Sequence, residues 1–315
     1  MRELESCFVM LVGLPGSGKS TFAKELKINH GYTIISSDEM RKELFNDVNN
    51  QDHNSEVFDE MLKRTIKCLQ NGEDVVYDAT NFSSKKRIHV LKSIEKYTNN
   101  RMCYFFATPY EMCLERNKKR ERKVPEEVIK RLLYSFQVPS KNEGFTDIQI
   151  IYPEDIKFKD YNKLVDSFKN IAHNNPYHSE TIGKHMRLAE KQICKFNCDD
   201  QMLILATLLH DIGKPETKFI DKDGIAHYYN HENVGAYRIF ELNVPEEFKL
   251  DIALLVNWHM KFFQWHETLT PNIKAQEKAL DFLGLNMYCY LIILALCDQA
   301  SSKFTGSKFV AKKEL

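Results

Sequence analysis

Along the first half of the chain the apolar residues come in short unbroken blocks, and along the second half they recur every three or four positions. The blocks are CFVMLVG (7–13), YTIISSD (32–38), DVVYDAT (74–80), MCYFFAT (102–108) and TDIQIIYP (146–153). Each is β-branched or aromatic in character, too short for an ordinary helix, and ends in glycine or small polar residues, as a strand of a parallel sheet does. Between blocks the spacing turns helical. STFAKELKI follows the first, and Phe58, Met61, Leu62, Thr65, Ile66 and Leu69 share one helix face between the second and third. Alternating strands and helices predict an α/β domain, a parallel sheet with helices on both faces. From EDIKFKDYNKLVDSFKN (154–170) onward the blocks stop and helical spacing takes over, so the second half is expected to be all-α. The expected division is an α/β domain over 1–153, a connecting segment over 154–172 and a helical domain over 173–315.

Composition changes this picture little. A chain of 315 residues suffices for two cores of ordinary size. Its 44 Lys and Arg are cancelled by 44 Asp and Glu, so any contact with nucleic acid has to be local. The opening MRELESCFVMLVG lacks the charged region and long apolar run of a secretory leader, which predicts a cytoplasmic protein. The most apolar stretch, YCYLIILALC (288–297), is shorter than the roughly 18 residues that cross a bilayer; it reads as a buried helix, and no membrane association is expected. The 8 cysteines form no C-x-x-C pair and read as reduced core residues, the helically spaced Cys194 and Cys198 included.

The first block runs into GLPGSGKST (13–21), in which Gly13, Gly18, Lys19 and Ser20 fill every fixed position of G-x-x-x-x-G-K-[ST] between a predicted strand and a predicted helix. Glycines at 13, 16 and 18 let backbone amides turn around phosphate oxygens. The helix start, with Thr21 beside it, adds positive potential, Lys19 reaches the outer phosphates, and Ser20 ligates magnesium. ATP and Mg2+ are therefore the expected ligands. Asp38 follows the second strand, with Arg41 one helical turn on. A carboxylate there can take the proton of an attacking hydroxyl while an arginine holds that carboxylate and an acceptor phosphate; a capping Asp beside an exposed Arg is the structural alternative. Asp78 ends the third strand, where it can orient the magnesium shell or pair with Arg41; Asn81 and Arg87 follow. RNKKRERKVP (116–125) then brings Arg116, Arg120 and Arg122 onto a predicted lid, and Arg120 is the one expected to neutralise charge on the transferred phosphoryl group.

In order, GLPGSGKST, SSDEMR, DATNFSSKKR and RNKKRERKVP resemble the kinase domain of the phage polynucleotide kinase-phosphatase family over about 150 residues. That family phosphorylates 5′-hydroxyl ends of RNA and DNA. The resemblance implies Asp38 as general base, Arg41 on the acceptor's 3′-phosphate, Asp78 in support of that arginine, and Arg120 as the catalytic arginine over the ATP phosphates. P-loop kinases of small molecules and zeta-type toxins share the loop and the following Asp.

In the second half, ILATLLHDIGKP ends an apolar helix with His210 and Asp211. At a helix end an adjacent imidazole and carboxylate can approach one ion, and the pair suits a first-row metal or magnesium. His185 upstream and Asp298 downstream complete an H…HD…D set that resembles HD-domain phosphohydrolases. NPYHSETIGKH, LLHDIGKP, AHYYNHENVGA and VNWHM are similar to the HD domain of bacterial tRNA nucleotidyltransferases over roughly residues 174–300. By this resemblance His231 and His259 match the further histidines of two-metal members, with Asp211 bridging the ions, and Lys214 contacts substrate phosphate. One or two ions are implied, Mn2+, Ni2+, Co2+ or Fe2+, or Mg2+. His178 and His227 read as structural or substrate-contacting.

Together these features point to a bifunctional end-healing enzyme, a 5′-kinase joined to a metal-dependent hydrolase of 2′,3′-cyclic, 2′- or 3′-phosphates. Its substrates would be nucleic-acid ends, RNA favoured, and a separate RNA ligase is the implied partner. The phage family pairs its kinase with another phosphatase fold, and bacterial repair enzymes that use an HD domain place it first. The alternatives are a nucleoside or nucleotide kinase fused to a nucleotidase, and an ATP-sensing regulator.

Overall fold

Cys7–Val12 (β1) is buried along its whole length, the environment its unbroken apolar block requires. The computed structural model describes residues 6–48, 52–176, 178–196, 198–267 and 270–302. The start of the opening segment, Tyr177 of NPYHSETIGKH and residues 303–315 of the expected helical domain lie outside the described residues.

After β1 come α1 (Lys19–His30), β2 (Thr33–Ser36), α2 (Ser37–Phe45), α3 (Asn54–Gln70), β3 (Val75–Asp78), α4 (Ser84–Ile94), β4 (Asn100–Phe106), α5 (Tyr110–Lys119), α6 (Glu126–Leu133) and β5 (Asp147–Ile151). All five predicted strands form. They pair in the order β2-β3-β1-β4-β5, every pair parallel. Leu11 and Ser36 are both in register with Asp78, so the C-terminal ends of β1, β2 and β3 come level. That edge collects ligands in sheets of this kind. Val9, Leu11, Ala23, Val76 and Phe106 form a core cluster on the sheet. On α3 the buried stripe is Val57, Met61, Thr65 and Leu69, with Phe58, Leu62 and Ile66 half-buried on its flank. Arg87 on α4 is fully buried and paired through two 2.6 Å contacts with buried Glu143, while its Nη1 donates to Asn81 O at 2.8 Å. This pair ties α4 to the turn before β5 and to the loop after β3.

The chain divides into two units. Residues up to Leu133 together with Pro139–Ile156 form the first; Tyr134–Val138 and the residues from Lys157 onward form the second. The second contains α7 (Tyr161–Ser167), α8 (Ile182–Gln192), α9 (Gln201–Leu209), α10 (Lys214–Thr217), β6 (Lys218–Ile220), β7 (Ala226–Tyr228), α11 (His231–Ile239), α12 (Lys249–Trp265) and α13 (Ile273–Ser301). Tyr134–Val138 is anchored there by asparagines: Asn233 Nδ2 donates to Tyr134 O at 2.8 Å, and Asn257 receives Val138 N at 3.2 Å and donates to Phe136 O at 3.2 Å.

The second half is helical as expected. One small addition to it is an antiparallel hairpin of β6 and β7 around Asp221-Lys222-Asp223-Gly224. The Asp221 carboxylate accepts from Asp223 N and Ile225 N, and Gly224 takes φ 79°, so the Asp-Gly turn signal outweighs the helical surroundings. The apolar stretch at 288–297 lies in the second part of α13. Gly284 interrupts this helix at φ 74°, and its second part buries Leu291, Leu294, Ala295 and Asp298. The cysteines also divide. Cys7, Cys103, Cys113 and Cys297 are buried, as read, whereas Cys194 and Cys289 are exposed.

Candidate active sites

The first site forms where β1, β2 and β3 end. Gly16 and Gly18 take φ 87° and 107°, the left-handed region that turns successive amides to one side, and a Cβ at Gly16 would lie 2.6 Å from Cys113 O. The loop is therefore closed to side chains at the place where it has to curve. Lys19, at the start of α1, is buried and donates to Gly13 O and Leu14 O, both at 2.8 Å. Asp78 is buried beside it, where the Lys19 charge and the Ser20 hydroxyl both stabilise its charged form. Burial pushes the Lys19 ammonium down and the Asp78 carboxyl up from their ordinary values, and in each case the other's charge opposes the shift.

A cavity of about 540 Å³ opens over these groups, lined among others by Lys19, Ser20, Thr21, Asp38, Asp78 and Arg120. Ser36, not Asp38, caps α2: its side chain accepts from Asp38 N at 3.3 Å. The Asp38 carboxylate is thus left facing the cavity. Arg41 is buried, contrary to the capping alternative, and lies beneath Asp38, 3.3 Å from its Oδ1, while donating to Asn54 Oδ1 at 2.7 Å and Ser37 O at 3.2 Å. Lys19, Ser20 and Arg120 stabilise the charged form of Asp78, which accords with the expected role beside the magnesium ligand. Burial lowers the Arg41 guanidinium from its ordinary value, with Asp38 opposing. Arg120 lines the same cavity, near enough for its charge to act on Lys19 and Asp78. Arg122, named in sequence only as one of the lid arginines, reaches Asp38 Oδ2 at 2.5 Å.

The second site is assembled from five helices. His185 comes from α8, His210 and Asp211 from the turn after α9, His231 from the start of α11, His259 from α12 and Asp298 from α13. All six are buried. Asp200 caps the apolar α9 by accepting from Leu203 N, and α9 delivers His210 and Asp211 into the interior. Gly213 lets that turn meet α11, since a Cβ there would lie 2.1 Å from His231 O. Asp211 faces two ways. Its Oδ2 is 3.4 Å from His185 Nε2 and 3.2 Å from His210 Nε2; its Oδ1 is 3.2 Å from His231 Nε2 and 3.8 Å from His259 Nε2. Asp298 Oδ1 lies 3.1 Å from His185 Nε2. Two ligand groups result, His185-His210-Asp298 and Asp211-His231-His259, each within 4.8 Å.

Whether a cation fits is decided by where the ring protons are. His210, His231 and His259 each donate Nδ1–H to a backbone carbonyl at 2.7 Å, those of Thr207, Tyr228 and Val256. Ser301 donates its hydroxyl to Asp298 O at 2.7 Å, so its oxygen accepts from His185 Nδ1 at 3.0 Å. With every Nδ1 protonated, each Nε2 presents a lone pair, yet Nε2 atoms face each other at 3.3 Å (His185, His210) and 3.1 Å (His231, His259). Such pairs are satisfied only by further protons or by a shared cation, and imidazole with carboxylate suits a divalent metal. Burial, followed by the charges of His231 and His210, brings His259 down to about 3, which keeps it neutral. Burial likewise lowers His185 despite Asp298. At His210 burial is outweighed by Asp211, which raises it, and at Asp211 burial is outweighed by His210 and Lys214, which hold the carboxyl well below its usual range. Lys214, on α10, lies 2.6 Å from Asp211 Oδ2 and 5.5 Å from the Tyr228 ring centre.

The two undecided histidines separate. His178 stacks on His173 at 4.1 Å and packs against the edge of His185, beside the cluster. His227 belongs to the hairpin, paired with Asp221 at 2.7 Å and stacked on Tyr229. Sequence reasoning missed Ser301 and His173. Ser301 follows Asp298 by one helical turn, and that spacing was the available signal.

Residues 8–139 match the family model of the AAA domain and residues 177–301 that of the HD domain. An L-seryl-tRNA(Sec) kinase of Methanococcus maripaludis is 26% identical over 59% of this chain and 71% of its own length. A bifunctional polynucleotide phosphatase/kinase of Schizosaccharomyces pombe is 25% identical over 48% of this chain, which spans only 33% of that relative. A solved structure of the Pnkp1/Rnl/Hen1 RNA repair complex aligns over 41% of this chain and 43% of its own, at 24% identity and TM-score 0.38. The chain thus joins a domain of the P-loop kinase fold to an HD domain.

Proposed function

We propose that this protein heals nucleic-acid ends, phosphorylating 5′-hydroxyls with ATP and hydrolysing 2′,3′-cyclic, 2′- or 3′-phosphates, with RNA the favoured substrate. What carries the reading is that one chain holds two phosphoryl-transfer centres of opposite design: an open cleft with a carboxylate between arginines, and a buried double cluster that shares Asp211. Many ribonucleases leave a 5′-hydroxyl on one fragment and a cyclic phosphate on the other, and the two centres answer those two ends. The two curated relatives named above are a kinase of seryl-tRNA and a polynucleotide phosphatase/kinase, which supports a polymer acceptor. A separate RNA ligase would consume the healed ends.

In the kinase cleft the γ-phosphoryl group passes to the 5′ oxygen, its bond to the β-phosphate breaks, and ADP leaves. Asp38 takes the hydroxyl proton. Lys19 and Arg120 face the phosphates and neutralise charge as it develops, and Arg41 holds Asp38 from below. Ser20 would hold magnesium, which would neutralise charge on the ATP phosphates, and Asp78 supports that hydroxyl. In the HD unit a divalent cation or pair, Mn2+, Ni2+, Co2+, Fe2+ or Mg2+, supplies Lewis-acid activation of water and phosphate. His185, His210 and Asp298 would hold one ion, His231 and His259 the other, and Asp211 both. Lys214 presents its charge to the substrate phosphate, and the Nδ1 bonds keep each ring in its ligating form.

Mass spectrometry of a short RNA bearing a 5′-hydroxyl and a 2′,3′-cyclic phosphate tests this directly. Incubated with the protein, ATP, Mg2+ and Mn2+ or Ni2+, the RNA should gain a 5′-phosphate and lose or open its cyclic phosphate. If both ends stay unchanged while ATP binds, the polymer reading is wrong.

A further inference from the structure

Two neighbouring rungs join α11 to α12. At one, His231 Nε2 lies 3.1 Å from His259 Nε2. At the other, two residues along each helix, Asn257 Nδ2 donates to Asn233 Oδ1 at 2.8 Å. Residue 231 meets 259 and 233 meets 257, so the helices run in opposite directions and the asparagines stand beside the histidines of the Asp211-His231-His259 group. The asparagine rung is closed by Tyr134–Val138, a segment that directly follows α6 in the chain and lies inside the residues matched by the family model of the AAA domain. Asn233 gives its own amide proton to Tyr134 O at 2.8 Å. Asn257 donates to Phe136 O and accepts from Val138 N, both at 3.2 Å. Phe136 is fully buried and stands edge-on to the Tyr237 ring of α11 at 5.1 Å.

A bond between two side-chain amides fixes the spacing of two helices only if neither amide is free to turn. Here Asn257 uses its Nδ2 protons and its oxygen at once, and Asn233 is pinned by Tyr134 O. An ion held by His231 and His259 needs their Nε2 lone pairs at a set separation. The Nδ1 bonds to Tyr228 O and Val256 O decide how each ring is turned, but not how far apart the two helices stand. The asparagine rung supplies that distance. The other ligand group, His185-His210-Asp298, is carried by α8, the turn after α9 and α13, and takes no part in the rung.

We propose that the rung of Asn233 and Asn257, closed by Tyr134–Val138, positions His231 and His259 for the second ion of the HD cluster, so that a segment from the kinase-like stretch of sequence completes the hydrolase centre. It rests on the two-ion reading above and adds to it the residues that set the spacing of one ligand group.

The test is a calorimetric titration of the metal-stripped full chain with Mn2+, with electron paramagnetic resonance of the loaded protein alongside, in wild type, Asn257→Ala, Asn233→Ala and Phe136→Leu. Asp211→Ala, titrated in parallel, gives the uptake that does not belong to the cluster. Wild type should take up two Mn2+ above that baseline and show the signal of a coupled pair. Asn257→Ala should weaken one of them by about ten- to a hundredfold, leave the other within about twofold, and lose the pair signal where only the tighter site fills. Asn233→Ala should do the same, and stands in for Asn257→Ala should that variant fail to fold. Phe136→Leu loosens the segment without touching either asparagine and should weaken the same ion to a smaller degree. Equal weakening of both ions overturns the positioning role, because a general loss of stability does not choose between them; unchanged affinity in both asparagine variants overturns it as well. No effect of Phe136→Leu overturns the part assigned to Tyr134–Val138. Uptake of a single Mn2+ by wild type overturns the two-ion reading and this inference with it, and leaves end healing by a one-ion centre standing.

Discussion

The kinase cleft and the HD cluster solve one problem, holding charge near phosphate, with opposite uses of burial. In the cleft the side chains come from strand ends and an irregular arm; Asp38 and Arg122 stay partly exposed, and only Lys19, Asp78 and Arg41 are sunk. In the cluster six ligating side chains from five helices are all buried. The difference follows from ligand size. A nucleotide needs an opening, whereas a small cation needs fixed lone pairs in a dry cage, where each donor is worth more.

The contrast can be broken at either end, and the largest effect is expected in the cluster. Asp211→Ala removes the one carboxylate shared by both ligand groups, and hydrolysis should fall on the order of 10³-fold or more with loss of bound metal, measured by elemental analysis beside a phosphate-release assay. Retained metal and activity would show that the two groups do not share an ion-bridging residue. In the same protein the 5′-kinase should be untouched.

At the cleft, Lys19→Ala should lower kinase turnover by about 10³-fold and leave hydrolysis intact. A melting curve is needed alongside, because Lys19 also satisfies Gly13 O and Leu14 O. Burial without function is tested in the same unit by Glu143→Ala, which strands Arg87 in the interior. About 3–5 kcal/mol of stability should be lost, read by denaturant unfolding, while the surviving folded fraction keeps its kinase KM values.

Ser301→Ala touches no ligand atom, yet it frees His185 Nδ1 from the acceptor that sets its tautomer. Metal affinity should drop by about ten- to a hundredfold in a calorimetric titration, with stability little changed; an unchanged affinity would mean that packing alone holds the ring. The smallest effect concerns pH. Burial, then the charge of Lys214, lowers His173 from 6.5 to about 4. Above 6.5 the folded and unfolded states both leave it neutral. As pH falls towards about 4 only the unfolded state takes this proton, so the His173 contribution declines over that window, and buried His185 and His259, lowered in the same direction, add to the decline. Melting temperature against pH should show that decline, and His173→Phe should make it shallower between about 6.5 and 4.

The strands of the first unit were legible because a doubly covered strand has to be apolar without interruption, and the P-loop because only glycines permit its curvature. The hairpin at 218–228 was less so, since three-residue strands leave little periodicity; the Asp-Gly pair at 223–224 was the signal to weigh. The apolar stretch at 288–297 was legible as a helix that buries Leu291, Leu294, Ala295 and Cys297, whereas the break at Gly284 before it was not read from the sequence.

By itself, then, the sequence determined the chemistry on offer: a phosphate loop, a carboxylate and arginine after β2, and a set of histidines and aspartates at recognisable spacing, because residue type and local backbone demands are carried in the chain. Only the tertiary structure decided which groups meet. It set the lid arginine Arg122 beside Arg41 against Asp38, and brought Ser301 under His185. Those pairings depend on contacts between residues as far as 116 positions apart, which no local pattern encodes. They are fixed by strand register in one unit and by helix packing in the other.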